Sequence, residues 1–335
     1  MSLVVSLGAA ACATIWGFDD LSLDHGTVDG GADAPFDGRA VRCDVTAPFT
    51  VISPPLFADK GNIKADRQGI SLSADERRIY FGWDPDPPLP DGGGSPYNWK
   101  LMMATRDTPQ ENFGEAQPLA PPINGTYLQR HPTLDREETM IVFAARDGGT
   151  DIQEQLFYAR RDASSQPFGP PQRLPALINE DPGYNIDPFL YTLPDAGKEL
   201  WYVHGTTKVA TLRRSRILND HLSAPSSFGP PEEVNLTDDT EVTPVLSADG
   251  LELYFSREEG PSDWPNANIW RAHRTTTAEP FVTREEVVEL NDKSELDRPG
   301  WLSPDGCRLY FLSSRDAQGT RALNIYMADR TKSSP

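Results

Sequence analysis

Leu302-Ser303-Pro304-Asp305-Gly306-Cys307-Arg308-Leu309-Tyr310-Phe311 is the stretch whose reading decides the fold. An Asp-Gly pair followed by an alternating apolar and aromatic run predicts a tight turn feeding a β-strand, because glycine accepts the positive φ that such turns need. The stretch is not unique. Leu246-Ser247-Ala248-Asp249-Gly250-Leu251-Glu252-Leu253-Tyr254-Phe255 repeats it, and so does Leu72-Ser73-Ala74-Asp75-Glu76-Arg77-Arg78-Ile79-Tyr80-Phe81. A degenerate copy runs from Leu134 to Phe143, and a shifted one from Leu193 to Tyr202.

Each copy is followed by a second predicted strand: Lys100–Arg106, Gln155–Arg161, Asn268–Arg274 and Asn324–Arg330, with a vaguer one around Val209 to Arg216. A third element then begins at Phe113-Gly114, Phe168-Gly169-Pro170-Pro171, Phe228-Gly229-Pro230-Pro231 and Phe281-Val282-Thr283-Arg284. After each comes a short strand ending near Leu119, Leu174, Val234 or Leu290, and often an Asn (Asn124, Asn179, Asn235, Asn291). Self-similarity at a fixed period is the signature of a repeat architecture. The closing aromatics Phe81, Phe143, Tyr202, Phe255 and Phe311 lie 62, 59, 53 and 56 residues apart. Long loops, notably Trp83 to Trp99, explain why this exceeds the roughly 40–50 residues of common propeller blades.

These Leu-Ser-Pro-Asp-Gly units resemble the WD40-like Pro-Asp repeats of TolB-type β-propellers over roughly Phe49 to Arg330. The resemblance implies an all-β, five-bladed propeller of four-stranded antiparallel blades. Six blades is the alternative, since the third unit matches poorly. It also implies interaction at a bacterial cell envelope, an analogy at the level of fold.

The fifth unit ends at Arg330 without a fourth strand. Ala47-Pro48-Phe49-Thr50-Val51-Ile52-Ser53-Pro54-Pro55 matches the missing Phe-then-strand element and is expected to supply the outermost strand of the last blade. That closes the ring and removes most free sheet edges. Cys307 opens the second strand of that blade and Cys43 precedes its outer strand, so their strand starts lie at one end and a Cys43–Cys307 disulfide is expected. The alternative is a small buried thiol and a free cysteine.

At the other extreme of the chain, Leu7-Gly8-Ala9-Ala10-Ala11-Cys12 resembles the end of a bacterial lipoprotein signal, which makes Cys12 the candidate lipidation site. No Lys or Arg precedes the run, and Ala9 stands where such signals favour Leu. A plain secretory signal peptide or an incidental apolar start are the other readings. Residues 19–38 carry six Asp and no Lys or Arg, a composition that favours a flexible tether. The expected organisation is a signal or lipoprotein-type segment at 1–13, an acidic tether at 14–44 and the propeller at 45–332, in an exported protein of the periplasm or outer membrane.

The 335 residues hold 31 Lys and Arg against 50 Asp and Glu, a net charge of -19. Such a surface repels nucleic acid and anionic lipid. No run approaches the roughly 20 apolar residues of a bilayer span, so membrane contact is expected only through a lipid anchor. A cell-envelope protein or glycan is the expected partner, and the chain is expected to be a monomer.

No nucleophile elbow or His-Glu-x-x-His motif occurs, so no catalytic residue and no resident metal is assigned. Calcium is a minor option at Asp147-Gly148-Gly149-Thr150-Asp151 or Asp84-Pro85-Asp86, where turn chemistry explains the residues equally well. The polar residues entering each inner strand recur in register: Asp66, Arg67, Arg130, His131, Asp187, Glu241, Asp297 and Arg298. They are candidates for one mouth of the central channel. Either they brace neighbouring blades, or they bind at the mouth, or a pair of carboxylates hydrolyses glycosides. Trp83, Tyr97, Trp99 and Trp264 are candidates for an aromatic recognition surface. The leading expectation is a non-catalytic binding or scaffold module. A glycan-binding or glycoside-hydrolysing propeller is the alternative.

Overall fold

The computed structural model describes residues 43–52, 55–57, 66–84, 99–125, 128–146, 153–193, 195–206, 210–234, 236, 239–259, 266–292, 294–315 and 322–330. Strand β1 (Phe49–Ile52) comes first in the chain but belongs to the last blade. The first blade is β2 (Asp66–Leu72), β3 (Arg78–Asp84), β4 (Lys100–Thr105) and β5 (Gln117–Pro118). The second is β6 (Gln129–Leu134), β7 (Met140–Ala145), β8 (Gln155–Arg160) and β9 (Gln172–Arg173). The third is β10 (Tyr184–Thr192), β11 (Lys198–Gly205), β12 (Ala210–Ile217) and β13 (Glu232–Val234). The fourth is β14 (Thr240–Leu246), β15 (Glu252–Glu259), β16 (Asn266–His273) and β17 (Thr283–Glu286). The fifth joins β18 (Asp297–Leu302), β19 (Arg308–Ser313) and β20 (Asn324–Arg330) to β1. All pairings are antiparallel, giving a five-bladed β-propeller whose last blade is completed by the N-terminal strand.

The second strands explain the packing. All six residues of β7 and of β19 are buried, because each blade is covered on both faces by its neighbours. The apolar core is accordingly divided into five clusters, one at each junction. Ile79, Phe81 and Met102 meet Tyr310 and Ile325 between the first and fifth blades, and Phe49 joins Tyr254, Phe311 and Tyr326 between the fourth and fifth. Three similar clusters fill the other junctions. The outer strands β5 and β9 have two residues each and β13 has three, which leaves little free edge to template aggregation.

The repeated motif builds the turn between first and second strands. Ser303 Oγ donates to Asp305 Oδ1 (2.6 Å) and accepts from Arg308 N (2.8 Å), while Asp305 Oδ1 accepts from Cys307 N (3.1 Å). Ser247 with Asp249 and Ser73 with Asp75 do the same. The turn spans four residues rather than two, closed by Ser303 N to Arg308 O at 2.8 Å. Its left-handed position is Gly250 and Gly306 in two blades, at φ 70° and 69°, but Glu76 and Glu138 in two others, at 60° and 55°.

Those two glutamates are inter-blade latches. Glu138 accepts from Arg78 through both nitrogens of the fork and from Tyr80 Oη (2.7 Å), and pairs with Arg161 at 3.4 Å. Glu76 takes the same place between Arg308 (2.6 Å) and Tyr310 Oη (2.5 Å). The arginine closing the third strand of three blades completes the device. Arg106, Arg161 and Arg274 each donate Nε to the carbonyl of the left-handed residue, at 2.7, 2.6 and 2.7 Å. Each lies over a phenylalanine seven residues on, Phe113, Phe168 or Phe281, at 4.3, 4.2 and 4.5 Å. Arg330 lies over Phe49 at 4.4 Å, so the N-terminal strand provides the fourth member of the series from the opposite end of the chain. Asn124 and Asn179 also recur in role, pairing through their amides with both backbone groups of Leu101 and Leu156 on the third strands.

Cys43 and Cys307 are joined, with Cα atoms 5.6 Å apart, and an Asp44–Thr46 turn carries the chain from the disulfide to β1. The link closes a loop of 264 residues. The chain-entropy upper bound for such a loop is on the order of 5 kcal/mol. Cys43→Ser or Cys307→Ser is therefore expected to lower Tm by up to about 10 °C. Calorimetry with and without dithiothreitol checks this: reductant should bring the native chain down to the variants and leave the variants unmoved. Glu138→Gln is expected to destabilise by about 3–5 kcal/mol in urea titration, because it strands the buried Arg161, whereas breaking the exposed Arg214–Glu232 pair costs about 1 kcal/mol or less.

Candidate functional site

The five inner strands share one irregularity. Each shifts register against its neighbour at the same level: between Gln68 and Ile70, Arg130 and Thr133, Ile186 and Phe189, Val242 and Val245, and Pro299 and Trp301. His131, Asp187 and Thr243 occupy the bulge with φ of 53°, 49° and 54°, and Gly69 with 66°. A non-glycine residue in this region costs roughly 1–3 kcal/mol and persists only where its surroundings impose it. Pro132, Pro188 and Pro244 follow, residues with no N–H to leave unpaired where the ladder breaks. The strands nearly touch here. A Cβ on Gly69 would stand 2.3 Å from His131 Cα, and one on Gly300 would stand 2.6 Å from Ile70 Cδ1. Among the bulges lies a cavity of about 30 Å³ lined by all five strands.

A hydrogen-bonded belt runs through the bulges. His131 Nε2 lies 2.6 Å from Gln68 Oε1, and its Nδ1 lies 2.7 Å from Asp187 Oδ1. Asp187 Oδ2 accepts from Thr243 N (3.2 Å), Thr243 Oγ1 meets Ser256 Oγ (2.8 Å), and Ser256 Oγ donates to Asp297 O (3.4 Å). The belt thus touches every blade. Burial pushes the Asp187 carboxyl up, but His131 and the Arg298 and Arg130 charges outweigh it and hold it below the usual carboxylate range.

Outside the belt, charges at the mouth are matched. Arg130 makes two bonds of 2.8 Å to Glu154, one of 2.7 Å to Gln68, and lies over Trp99. Arg146 reaches Glu154 at 3.5 Å, and Arg298 donates to Glu258 at 2.6 Å. Asp66 accepts from Leu323 N (2.9 Å), and burial raises its pKa. Asp66, Arg130, His131, Asp187 and Arg298 therefore gather around the axis. Arg67, Glu241 and Asp297 turn into the blades. Arg67 donates to Asn324 (2.7 Å), Glu241 accepts from Leu236 N (3.3 Å), and Asp297 accepts from Asp292 N (2.7 Å) and Arg315 (2.8 Å).

Gln68, Glu154 and Glu258 were not singled out by the repeat pattern. The signal was present: second strands end and third strands begin at the same end of a blade as the first strand begins, which places residues 154 and 258 beside the inner-strand entries. Trp99 is buried rather than displayed, and Trp83 is half-buried against the core. Cys12, Tyr97, Trp264, Asp86 and Asp147–Asp151 lie outside the described residues. Among the described residues no group of three His, Cys, Asp or Glu is placed to hold a metal ion.

No protein-family model matches the chain, and no curated protein matches it in sequence. Solved structures do match in fold. A GH43_1 enzyme from Xanthomonas citri complexed with xylotriose superposes with TM-score 0.56 at 17% identity, covering 84% of this chain and 90% of that one. A thermostable family-43 glycoside hydrolase gives 0.54 at 13% identity, covering 81% and 94%. A putative TolB from Agrobacterium tumefaciens gives 0.43 at 13%, covering 74% and 69%. At these identities the likeness is one of fold: the chain shares the propeller architecture of the two glycoside hydrolases.

Proposed function

We propose that the chain is a non-catalytic binding propeller of the cell envelope, in the manner of TolB-type propellers, which engages a protein partner. The observation that carries the reading is the state of the axial carboxylates. Glycoside hydrolysis needs two carboxyl groups flanking an open site, one of them available as acid and the other as base or nucleophile. Here Asp66, Glu154, Asp187 and Glu258 are each tied to an arginine, a histidine or a backbone N–H, and the cavity among the bulges is about 30 Å³. A disulfide at the ring seam supports an oxidising compartment, in keeping with an exported protein.

Two measurements test this reading. With p-nitrophenyl α-L-arabinofuranoside and β-D-xyloside, no release above that of an Asp187→Asn variant is expected. Turnover that the variant abolishes would make the chain a glycosidase. On immobilised envelope extract, retention is expected to be lost after trypsin treatment of the extract and kept after glycosidase treatment, while the converse pattern would establish a glycan ligand.

The belt also predicts a pH dependence. A carboxyl whose folded pKa is depressed contributes stability that is present above the unfolded value of about 3.9 and is lost as pH falls through the folded value. Asp187→Asn should therefore cost about 3 kcal/mol near neutrality, and the gap from the native chain should narrow on acidification below about pH 4. Urea titrations across that range measure it.

A further inference from the structure

The outer strand of the fourth blade is an exception to the short edges of the other blades. β17 (Thr283–Glu286) has four residues where β5 and β9 have two and β13 has three. β1 is as long, but its Phe49 N is taken by Glu289 Oε1 at 3.1 Å. No proline or lysine, the usual blunting residues of an edge, interrupts β17. The two most exposed large apolar side chains among the described residues flank it: Val282 and Val288, each 68% exposed.

The register tells which backbone groups of this edge are free. Val287 N donates to Ile269 O at 2.9 Å, and Glu285 stands opposite Arg271. Bonded and non-bonded pairs alternate along an antiparallel ladder, so Arg284 and Glu286 turn both their N–H and their C=O outward. Their side chains are available too. Arg284 is exposed and has no side-chain partner among the described residues. By contrast, Arg213, Arg214, Arg216 and Arg271 on the third strands β12 and β16 are each paired with a carboxylate. Glu286 uses one oxygen, accepting from Asn291 at 3.2 Å.

An edge of this kind invites another strand, and the order of its residues selects one. The run is Val282-Thr283-Arg284-Glu285-Glu286-Val287-Val288. Turned about a two-fold axis through Glu285, it matches itself. Arg284 meets Glu286 of the second copy, Glu286 meets Arg284, and Val282 lies opposite Val288 on both sides. The residues with free backbone groups are the ones that face each other, so each of the two Arg–Glu pairs exchanges both of its backbone hydrogen bonds. Glu285 meets its own copy, but each is already matched by Arg271 at 2.9 Å. Sliding the copy by one residue sets free groups against bonded ones, and sliding it by two sets Arg284 against Arg284 or Glu286 against Glu286. We propose that the chain forms a two-fold homodimer by antiparallel pairing of β17 with β17 of a second copy, which joins the two fourth blades into one eight-stranded sheet. Sequence alone led to the expectation of a monomer, because the free edge is defined by a register that only the fold sets. The dimer does not rest on the reading of the channel mouth.

The edge is small, which places the dimer among weak, reversible ones that bury less than about 1,200 Å². Sedimentation equilibrium of the full chain from about 10 to about 500 µM covers that class, and the native chain is expected to show a monomer–dimer equilibrium. Arg284→Glu and Glu286→Arg, each checked for folding by circular dichroism, set like charges at both contacts and should weaken the dimer by about tenfold or more. An equimolar mixture of the two variants restores opposite charges at both contacts, as does Arg284→Glu/Glu286→Arg in one chain, so both are expected to dimerise as the native chain does. Arg284→Glu alone carries the test if Glu286→Arg fails to fold. A native chain that stays monomeric throughout the range overturns the proposal. So does a dimer that the folded single variants leave unchanged, and so does a mixture of folded variants that stays monomeric.

Discussion

The pairing of β1 with β20, from Phe49 opposite Arg330 to Ile52 opposite Met327, is the contact on which the ring depends. The other blades are each built from strands adjacent in sequence, while this pairing joins residues some 280 positions apart within the fifth blade. Its strength is not left to four residues of ladder. Phe49 stacks under Arg330 as its counterparts do in other blades, packs edge-on against Tyr254 of the fourth blade, and is preceded by a covalent link to the second strand of its own blade. A single aromatic residue so placed ties the outer strand, the third strand and the neighbouring blade together.

Most of this architecture was legible in the chain. The Ser-x-Asp-Gly units carry their own mechanism, since serine and aspartate satisfy the turn's backbone groups, and the shortfall of one strand after Arg330 pointed to Phe49. Even the weak third unit folds as a full blade, with β12 where only a vague strand could be read, because burial from both sides overrides a shifted turn. The latches were less visible. The seven-residue spacing from arginine to phenylalanine stands in the sequence, but nothing in one blade's sequence says that Glu76 reaches into the fifth blade or Glu138 into the first.

The candidate site divides the same way. Recurrence at the entry of the inner strands correctly drew attention to one level of the molecule. It did not distinguish Arg130, which faces the axis, from Arg67, which turns toward Asn324: Arg130 stands one residue before its bulge and Arg67 two before, so strand alternation sends them to opposite faces. The partners Glu154 and Glu258 sit on other strands and enter only through the three-dimensional arrangement. The mixed acidic and basic residues read from the inner-strand entries form, once those partners are counted, a nearly neutral network.

The seam has a consequence for the order of events in the cell. The strand synthesised first is paired last. At about 5–20 residues per second, the roughly 280 residues between Phe49 and Arg330 take on the order of 15–60 s to emerge. Throughout that interval the outer edge of the fifth blade does not exist, and Phe49 has no arginine to lie under. Any holding factor or delivery route for the nascent chain must therefore protect an unpaired strand for the whole of synthesis, and only then can the ring become a single body.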